Sequence, residues 1–380
     1  MFGRIAFSTT FVASLALAVP AFAQQQAPAD LTVMPPIADD YRPNATLWGD
    51  PDFRGTWPIN DFAELPVNRP EQYGDRFFKT DEEMAAEQAR VEQLEQAYES
   101  EDERGSIGLG HWIEYLAGSR RTSMIVDPAT GRLPPMTPQA QALYGAGRSS
   151  WVQDQQFDWV SDFDTWDRCV TRGFPASMLP FRYNNGIRIL QSPGFVVIDL
   201  EMIHDSRIVP VVPKAEWPKL QQTRWPDSVR TWMGQSLGYW EDHNTLVIET
   251  TNIKAGESVA PDGYSRGPSP LNMATRGVPR NNTIPTSAAV KVTERLHMVG
   301  PDSITYELHY SDPEVFTAPW TIRVDWTRDE DYEFFEYACH EGNVQVRNYI
   351  NASRAARGAT TSLVGAYDSH ERGGANAATE

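Results

Sequence analysis

From about residue 185 onwards, short runs rich in Val and Ile show partial alternation of apolar and polar positions. This pattern is typical of strands that bury one face. The predicted strands cover residues 187–190, 194–203, 206–212, 237–241, 245–251, 290–298, 303–310, 321–327 and 332–339. Successive hairpins without helices between them predict an antiparallel meander that closes into a barrel or a strongly curled, lipocalin-like sheet.

The N-terminal third has a different pattern, which predicts helices. Thr80 and Glu83 have the spacing of a capping box, and apolar residues then recur at helical intervals. A second helical piece is expected over residues 138–144. We therefore expect a mainly β fold with a helical N-terminal part at about 80–145. Its long loops include residues 254–287, which are rich in Gly, Pro, Ser and Asn and have little periodicity.

The first 23 residues are typical of a secretory signal peptide. Arg4 supplies a positive charge, residues 11–19 form a short apolar run, and residues 21–23 fit an A-x-A cleavage site. The apolar run is too short to remain as a membrane helix. We expect a periplasmic or secreted chain, with no integral membrane segment after cleavage near Ala23. Its expected parts are a mobile leader over 24–46, a single β-rich domain over 47–356 and a disordered tail over 357–380.

The composition narrows the class of partner. The 380 residues carry a formal net charge of −18, which argues against a nucleic-acid partner because a phosphate backbone attracts clusters of Lys and Arg. The 12 tryptophans suggest surfaces lined with aromatic side chains, and a small molecule is the expected partner. The oligomeric state stays open.

The only two cysteines lie in polar, chemically capable segments. Cys169 and Cys339 form an even pair, which an oxidising compartment allows to persist as a disulfide. Pairing would bring their Cα atoms within about 6 Å and would make one composite site of the two segments. The alternative is two unpaired cysteines, buried as small apolar residues.

The first candidate group lies at residues 201–205, at the end of an apolar strand. Strand alternation places Met202 and His204 on one face. His204 is then a candidate general base or metal ligand presented into a cavity, and Asp205 could orient its imidazole. The alternative is a core histidine that a backbone carbonyl satisfies.

The second group is Cys339, His340 and Glu341, at the end of the last predicted strand. His340 is a candidate general acid, and Glu341 a candidate substrate-binding residue. A divalent metal held by His204 and His340 is the less favoured alternative. The chain contains no His-Glu-x-x-His and no Cys-x-x-Cys motif, so no cofactor is expected to be required.

The third group surrounds Cys169. Arg168 and Arg172 could clamp a carboxylate or polarise a carbonyl oxygen, and Tyr183 could donate a proton. Asn184 and Trp232 are further candidate substrate-binding residues, Trp232 through an apolar ring face. The alternatives are a polar loop whose arginines pair with the many acids, and ordinary core packing for Trp232.

Several strings of the chain resemble a large secreted family of Gram-negative bacteria. They are residues 49–57 (GDPDFRGTW), 168–173 (RCVTRG), 183–185 (YNN), 201–205 (EMIHD), 232–234 (WMG), 238–241 (GYWE), 246–252 (LVIETTN) and 337–343 (YACHEGN). The resemblance covers residues 47–356, nearly the whole mature chain. It implies no particular reaction. Such proteins occur in bacteria that degrade plant polymers and aromatic compounds, which favours an aromatic substrate.

These observations favour a periplasmic enzyme that acts on an aromatic or apolar small molecule. With no Gly-x-Ser-x-Gly, Gly-x-Gly-x-x-Gly or Walker motif, acid–base chemistry of the lyase, dehydratase or isomerase type is expected, for instance on a lignin-derived phenolic. Three alternatives stay open: a lipocalin-like carrier without turnover, a metal-assisted hydrolase using the same histidines, and an envelope interaction protein.

Overall fold

Strands make up the framework of the protein. The structure, a computed structural model, describes residues 27–105, 119–147, 149–150, 155–256, 267–272 and 282–358. The strands are β1 (Gly55–Thr56), β2 (Ile125–Asp127), β3 (Ile187–Ser192), β4 (Phe195–Leu200), β5 (Ser206–Pro213), β6 (Gln235–Trp240), β7 (Thr245–Thr251), β8 (Lys291–Gly300), β9 (Ser303–Ser311) and β10 (Trp320–Thr327). The α-helices are α1 (Asp81–Glu103), α2 (Pro138–Ala146), α3 (Trp217–Leu220) and α4 (Gln345–Ala356).

The ten strands form one strongly curled sheet, a half-barrel. Its order is β1-β3-β4-β5-β6-β7-β8-β9-β10-β2. From β3 to β10 the order follows the chain, and neighbours are antiparallel except for β5 and β6, which are parallel. The predicted mainly β, lipocalin-like curled sheet is therefore confirmed. The parallel pair arises because residues 214–234 form a long crossover between β5 and β6 instead of a hairpin.

One predicted strand is wrong. Residues 332–339 were expected to pair with β10, but they lie outside the sheet without ladder partners. The position beside β10 is occupied by β2, where Ile125 pairs with Ile322. The backbone N–H of Phe335 donates instead to the carboxylate of Glu201, at 2.9 Å. The buried side chain of Glu201 thus takes the place of the backbone acceptor on a neighbouring strand that the pattern predicted for Phe335.

The buried face of the sheet is filled by aromatic side chains. Trp326 stacks on Tyr306 with ring centroids 4.5 Å apart, and Phe53 from the N-terminal segment lies 5.4 Å from the ring of Trp240. Within the described residues, the largest side chains with almost no exposure are Trp57, Trp320, Trp326, Arg69, Tyr306, Tyr310, Phe53, Phe174 and Phe316. Side chains thus fill the interior that a lipocalin would offer to a ligand.

Five polar side chains are buried among the apolar residues of this face and are hydrogen-bonded to one another. Arg207 of β5 donates from Nη1 to Oε1 of Glu294 on β8, at 2.9 Å, and both side chains are almost fully buried. Nη2 of Arg207 also donates to the hydroxyls of Ser236 on β6 and Thr250 on β7. Tyr306 on β9 donates its hydroxyl to Glu294 at 2.7 Å. One hydrogen-bond network therefore joins five successive strands.

The helices agree in part with the sequence pattern. The capping box of α1 is present, since the backbone N–H groups of Thr80 and Glu83 each donate to the other residue's side chain. Helix α2 is two residues longer than the predicted 138–144. Helix α4 was not predicted, because the sequence pattern of the C-terminal part was interpreted only in terms of strands. The helix buries Ile350 against Phe157 and Phe163.

The segment expected as a mobile leader lies against the folded domain over residues 27–46. The carbonyl of Leu31 accepts from the N–H of Phe77 at 2.7 Å, and that of Pro35 accepts from Arg323 at 2.8 Å. The predicted signal peptide and residues 359–380 of the predicted tail lie outside the described residues. In the described ranges, every helix is too short or too polar to cross a membrane.

The buried network predicts the effect of removing its cation. We expect Arg207→Met to lower the free energy of unfolding by about 3–5 kcal/mol, because it leaves the carboxylate of Glu294 buried without a counter-charge. Urea unfolding followed by tryptophan fluorescence measures this loss.

Two further variants test the cause. Arg54→Met removes an arginine that is half exposed and paired with Asp52, and we expect no measurable change in the free energy of unfolding, because exposed ion pairs contribute little. The double variant Arg207→Met with Glu294→Leu should recover part of the loss, since no buried charge is then left unpaired. A loss below about 1 kcal/mol for Arg207→Met alone would contradict the account.

Candidate functional site

A disulfide joins the two segments that the sequence analysis singled out. Cys169 and Cys339, separated by 170 positions, are bonded at 2.03 Å, with their Cα atoms 5.6 Å apart. The side chain of Asn343 adds a second link, because its Nδ2 donates to the carbonyl of Asp167 at 2.8 Å. The predicted disulfide is confirmed, and it brings both polar segments to one place.

The carboxylate of Glu201 also links the segment around residue 184 to the C-terminal segment that carries Cys339. Its side chain is fully buried, and its Oε1 accepts from Nδ2 of Asn184 and the N–H of Phe335, both at 2.9 Å. Its Oε2 accepts from the N–H of Gly186 at 2.9 Å and from the hydroxyl of Tyr332 at 2.7 Å. A carboxylate with four donors in a buried position fixes the loop before β3 and the C-terminal segment together.

Two tyrosines, one from each segment, form the centre of the candidate site. The rings of Tyr183 and Tyr337 are stacked, with centroids 6.4 Å apart and planes inclined by 14°, and their side chains are hydrogen-bonded to each other. Burial raises the pKa of both phenols, so both keep their protons at neutral pH. A pair of protonated phenols is a hydrogen-bond donor for an oxygen that gains negative charge.

Arg172 places a positive charge close to this pair. Its side chain is almost fully buried and donates to backbone carbonyls, from Nη1 to Leu179 at 2.8 Å and from Nη2 to Asn272 at 3.2 Å. Within the described part of the chain, no carboxylate is paired with it. Burial lowers the pKa of Arg172 to about 10, which still leaves the group charged at neutral pH, and the phenolate forms of both tyrosines attract it. The guanidinium therefore favours negative charge at the tyrosine pair.

Asp205 supplies a carboxylate in the same region. Its Oδ2 accepts from the hydroxyl of Thr171 at 2.5 Å, and this hydroxyl in turn accepts from the N–H of Gly173 at 2.9 Å. Oδ1 of Asp205 makes no hydrogen bond with any described residue. Burial raises the pKa of Asp205, and the bond from Thr171 opposes this shift. A carboxylate that is partly desolvated and has one unengaged oxygen can accept a proton.

An apolar cluster lies next to the tyrosines. Trp166, Phe181 and Met202 are buried together, and Tyr183, Ile203 and Tyr337 pack against them. The ring of Phe181 meets those of Trp166 and Tyr183 edge-on, with centroids 5.2 and 4.9 Å apart. Both tyrosines are only partly buried, so the edge of this cluster is open to solvent. Such a surface suits an aromatic or aliphatic ligand body.

The predicted position of His204 is wrong. Strand β4 ends at Leu200, and Ile203 and His204 both have positive φ, 63° and 55°, so strand alternation does not continue through residues 201–205. The turn directs Met202 inwards, where its sulfur accepts from Nε1 of Trp166, while His204 is exposed. The cavity-facing histidine that alternation predicted is therefore a surface residue.

His340 and Glu341 are exposed as well. They lie in turns after Cys339, so the alternation expected for the end of a strand does not apply to them either. No group of three or more His, Cys, Asp and Glu residues that could hold a metal occurs in the described ranges. Among the residues that the structure describes, neither histidine therefore has a partner that would assign it a chemical role.

The remaining candidates have mixed positions. Arg168 is half-buried, and burial lowers its pKa, against the attraction of Asp164 and Asp167. Asn184 is engaged by Glu201, as described above. Trp232 is half-buried, and Nζ of Lys254 lies 4.5 Å from its ring centroid.

Sequence reasoning missed Glu201 and Tyr337. Both lie inside strings that the sequence analysis singled out, residues 201–205 and 337–343, in which neither residue was given a role. Comparison with known proteins adds nothing to these assignments: no protein-family model matches the chain, and no curated protein is significantly similar to it. The assignment of the site therefore rests on geometry.

The disulfide closes a loop of 170 residues, which predicts its contribution to stability. We expect the double variant Cys169→Ser with Cys339→Ser to lose about 3–5 kcal/mol of unfolding free energy, because the unfolded chain regains the freedom that the cross-link removes. Urea unfolding with and without dithiothreitol measures the effect. The reductant should destabilise the native protein to the same level and leave the variant unchanged; a variant as stable as the native protein would contradict the prediction.

Proposed function

We propose that the protein is an exported acid–base enzyme that acts on an aromatic or otherwise apolar small molecule. The observation that carries this proposal is the pair of protonated phenols, Tyr183 and Tyr337, beside the buried and unneutralised guanidinium of Arg172. The disulfide supports export, since such bonds persist in oxidising compartments. Periplasmic location and the predicted signal peptide remain part of the proposal.

In the proposed reaction, Asp205 accepts a proton from the carbon next to a carbonyl group of the substrate. The two C–H bonding electrons then form an enolate, whose oxygen accepts a hydrogen bond from Tyr337, while Tyr183 donates to the oxygen of Tyr337. Arg172 stabilises this charge without direct contact. Loss of a leaving group from the neighbouring carbon, with return of the proton from Asp205 to that group, completes an elimination; return of the proton to another carbon completes an isomerisation.

The substrate class follows from the surroundings of the tyrosines. The cluster of Trp166, Phe181 and Met202 offers an apolar contact surface for a ring or chain beside the reacting oxygen. A lignin-derived phenolic ketone is one such molecule, in agreement with the resemblance to the secreted family.

This assignment changes the roles expected from the sequence. Asp205 replaces His204 as the base, because His204 is exposed. Of the two expected proton donors, Tyr183 is kept, now as part of a hydrogen-bonding pair with Tyr337, and the exposed His340 is not. The carrier alternative finds no support in the filled interior of the sheet, and no ligand cluster in the described residues favours a metal-assisted hydrolase. Both remain outcomes that the following experiment detects.

The test is turnover of a panel of aryl ketones that carry a β-hydroxyl or β-aryloxy group. In D₂O, NMR detects both elimination and exchange of the α-proton for deuterium. We expect catalysis by the native protein, a loss of about 10²–10⁴-fold in kcat for Asp205→Asn and a loss of about 10²-fold for Tyr337→Phe, which removes a donor to the enolate oxygen.

The matched controls are Tyr349→Phe, which alters an exposed tyrosine on α4, and His204→Ala. Both should keep full activity, and circular dichroism should show all variants folded. Binding of the ketones without exchange or elimination would favour a carrier, whereas loss of turnover in His204→Ala would restore the histidine as the base.

We expect kcat to decrease as the pH is lowered. The pKa of Asp205 is raised above its usual range by burial, and the base acts only when ionised, so activity should fall as the pH decreases through this raised pKa. Both tyrosines have raised pKa values and stay protonated, so no alkaline limb is expected between pH 7 and 9. A profile that rises towards acid pH would contradict the assigned base.

A further inference from the structure

A cleft lies between the N-terminal segment 28–38 and the solvent-facing side of β9 and β10. Its volume is about 430 Å³, large enough for a small organic molecule. A second cleft of about 480 Å³ shares Met34, Pro35, Pro36 and Arg323 with the first and continues over β8. The segment therefore bridges a surface that it does not fill.

The segment that covers the cleft is anchored on both sides of it. The carbonyl of Leu31 accepts from the N–H groups of Phe77 and Phe78, at 2.7 and 3.3 Å, and the carbonyl of Pro35 accepts from Nη1 of Arg323. Pro35 and Pro36 restrict the backbone between these anchors. The segment 28–38 is therefore already ordered before a ligand binds, which reduces the loss of conformational entropy on binding.

Arg121 provides the cleft with a cation that forms no salt bridge with any described residue, although Asp325 attracts its charge and its guanidinium carbon lies 5.9 Å from the ring centroid of Phe78. The residue has an exposed fraction of 7%, and its guanidinium makes one hydrogen bond to a described residue, from Nη2 to the carbonyl of Ser123 at 3.1 Å. Nε has no hydrogen-bond partner among the described residues. The other arginines of the cleft are engaged, Arg120 with Asp81 at 2.9 Å and Arg323 with Glu307 at 2.8 Å. A buried donor without an acceptor is costly, and a bound anion would supply the acceptor.

The other groups of the cleft limit the charge and shape of that anion. Asp61 and Asp325 line it as well and would repel a dianion, as would the net charge of −18. Asp61 is desolvated, which raises its pKa to about 6. Phe62, Phe78 and Val299 provide apolar walls. The lining therefore suits one negative charge attached to an apolar body.

We propose that this cleft binds a small monocarboxylate, with its carboxylate on Arg121 and its apolar body between Phe62, Phe78 and the covering segment. The cleft shares no residue with the tyrosine site, so it is a second ligand site that stands apart from the proposed function. Arginine is suited to this task because its guanidinium matches the geometry of a carboxylate.

Methionine methyl groups provide a reporter for each site. Met34 lines the cleft, and the sulfur of Met233 lies 3.7 Å from the hydroxyl of Thr171 at the tyrosine site. With ¹³C-methyl methionine labelling of the mature protein, benzoate should shift the Met34 resonance in a saturable way and leave that of Met233 unchanged. Benzyl alcohol, which has the same ring without the charge, should shift neither. Assignment uses Met34→Leu and Met233→Leu.

Variants connect the signal to the cation. We expect Arg121→Gln to weaken benzoate binding by at least about tenfold, since a charge-assisted hydrogen bond is lost, and Arg54→Gln, which changes an exposed arginine outside the lining of the cleft, to have no effect. If Arg121→Gln does not fold, Ala38→Trp provides the second test, because Ala38 is exposed and lines the cleft. Its indole should fill the cleft and abolish the Met34 shift.

Several results would overturn the proposal. They are a Met34 resonance that does not respond to benzoate, an equal response to benzyl alcohol, a shift confined to Met233, and unchanged affinity in folded Arg121→Gln or Ala38→Trp. Failure of the enzyme proposal would leave this test unaffected, since Met34 reports binding and not turnover.

Discussion

The buried contact between Arg207 and Glu294 is the polar interaction around which the middle strands of the sheet are arranged. The two residues lie on β5 and β8, three strands apart, which in a flat sheet corresponds to about 14 Å. Their direct hydrogen bonds, at 2.9 Å for one pair of atoms, tie these strands together on the buried face of the curled sheet. Because β5 and β6 form the only parallel pair between described strands, this network also fixes the one junction at which the simple meander is interrupted.

The curled sheet positions the candidate site at the end of one of its strands. Strand β4 stops at Leu200, and the next residue, Glu201, directs its carboxylate into the protein instead of continuing the ladder. Four donors then converge on this carboxylate, two of them from residues 332–335. The C-terminal segment passes the site without being a strand, and this path brings Tyr337 beside Tyr183. The tyrosine pair thus depends on the sheet ending where it does.

The sequence predicted the strands well because alternation survives wherever a strand has two neighbours, as in β8 and β9. It failed at residues 201–205 and 332–341, where tight turns and side-chain hydrogen bonds replace the ladder, and these segments carry the candidate site. Arg207 and Glu294 offered a usable signal, since alternation places Arg207 on the same face as Val209 and Val211, and Glu294 on the same face as Val292 and Leu296. The pairing of the cysteines could be inferred from their number and compartment; the tyrosine pair could not, because it depends on a non-strand path.

The contacts that hold the C-terminal segment in place determine when the pair of Tyr183 and Tyr337 can form. Tyr337 stands two residues before Cys339 in a stretch without ladder partners, so its place beside Tyr183 is secured mainly by the sulfur bridge and by Glu201. A newly made chain whose cysteines are still free thiols lacks the disulfide. Because this disulfide forms only where thiols can be oxidised, assembly of the tyrosine pair waits until the chain reaches an oxidising compartment.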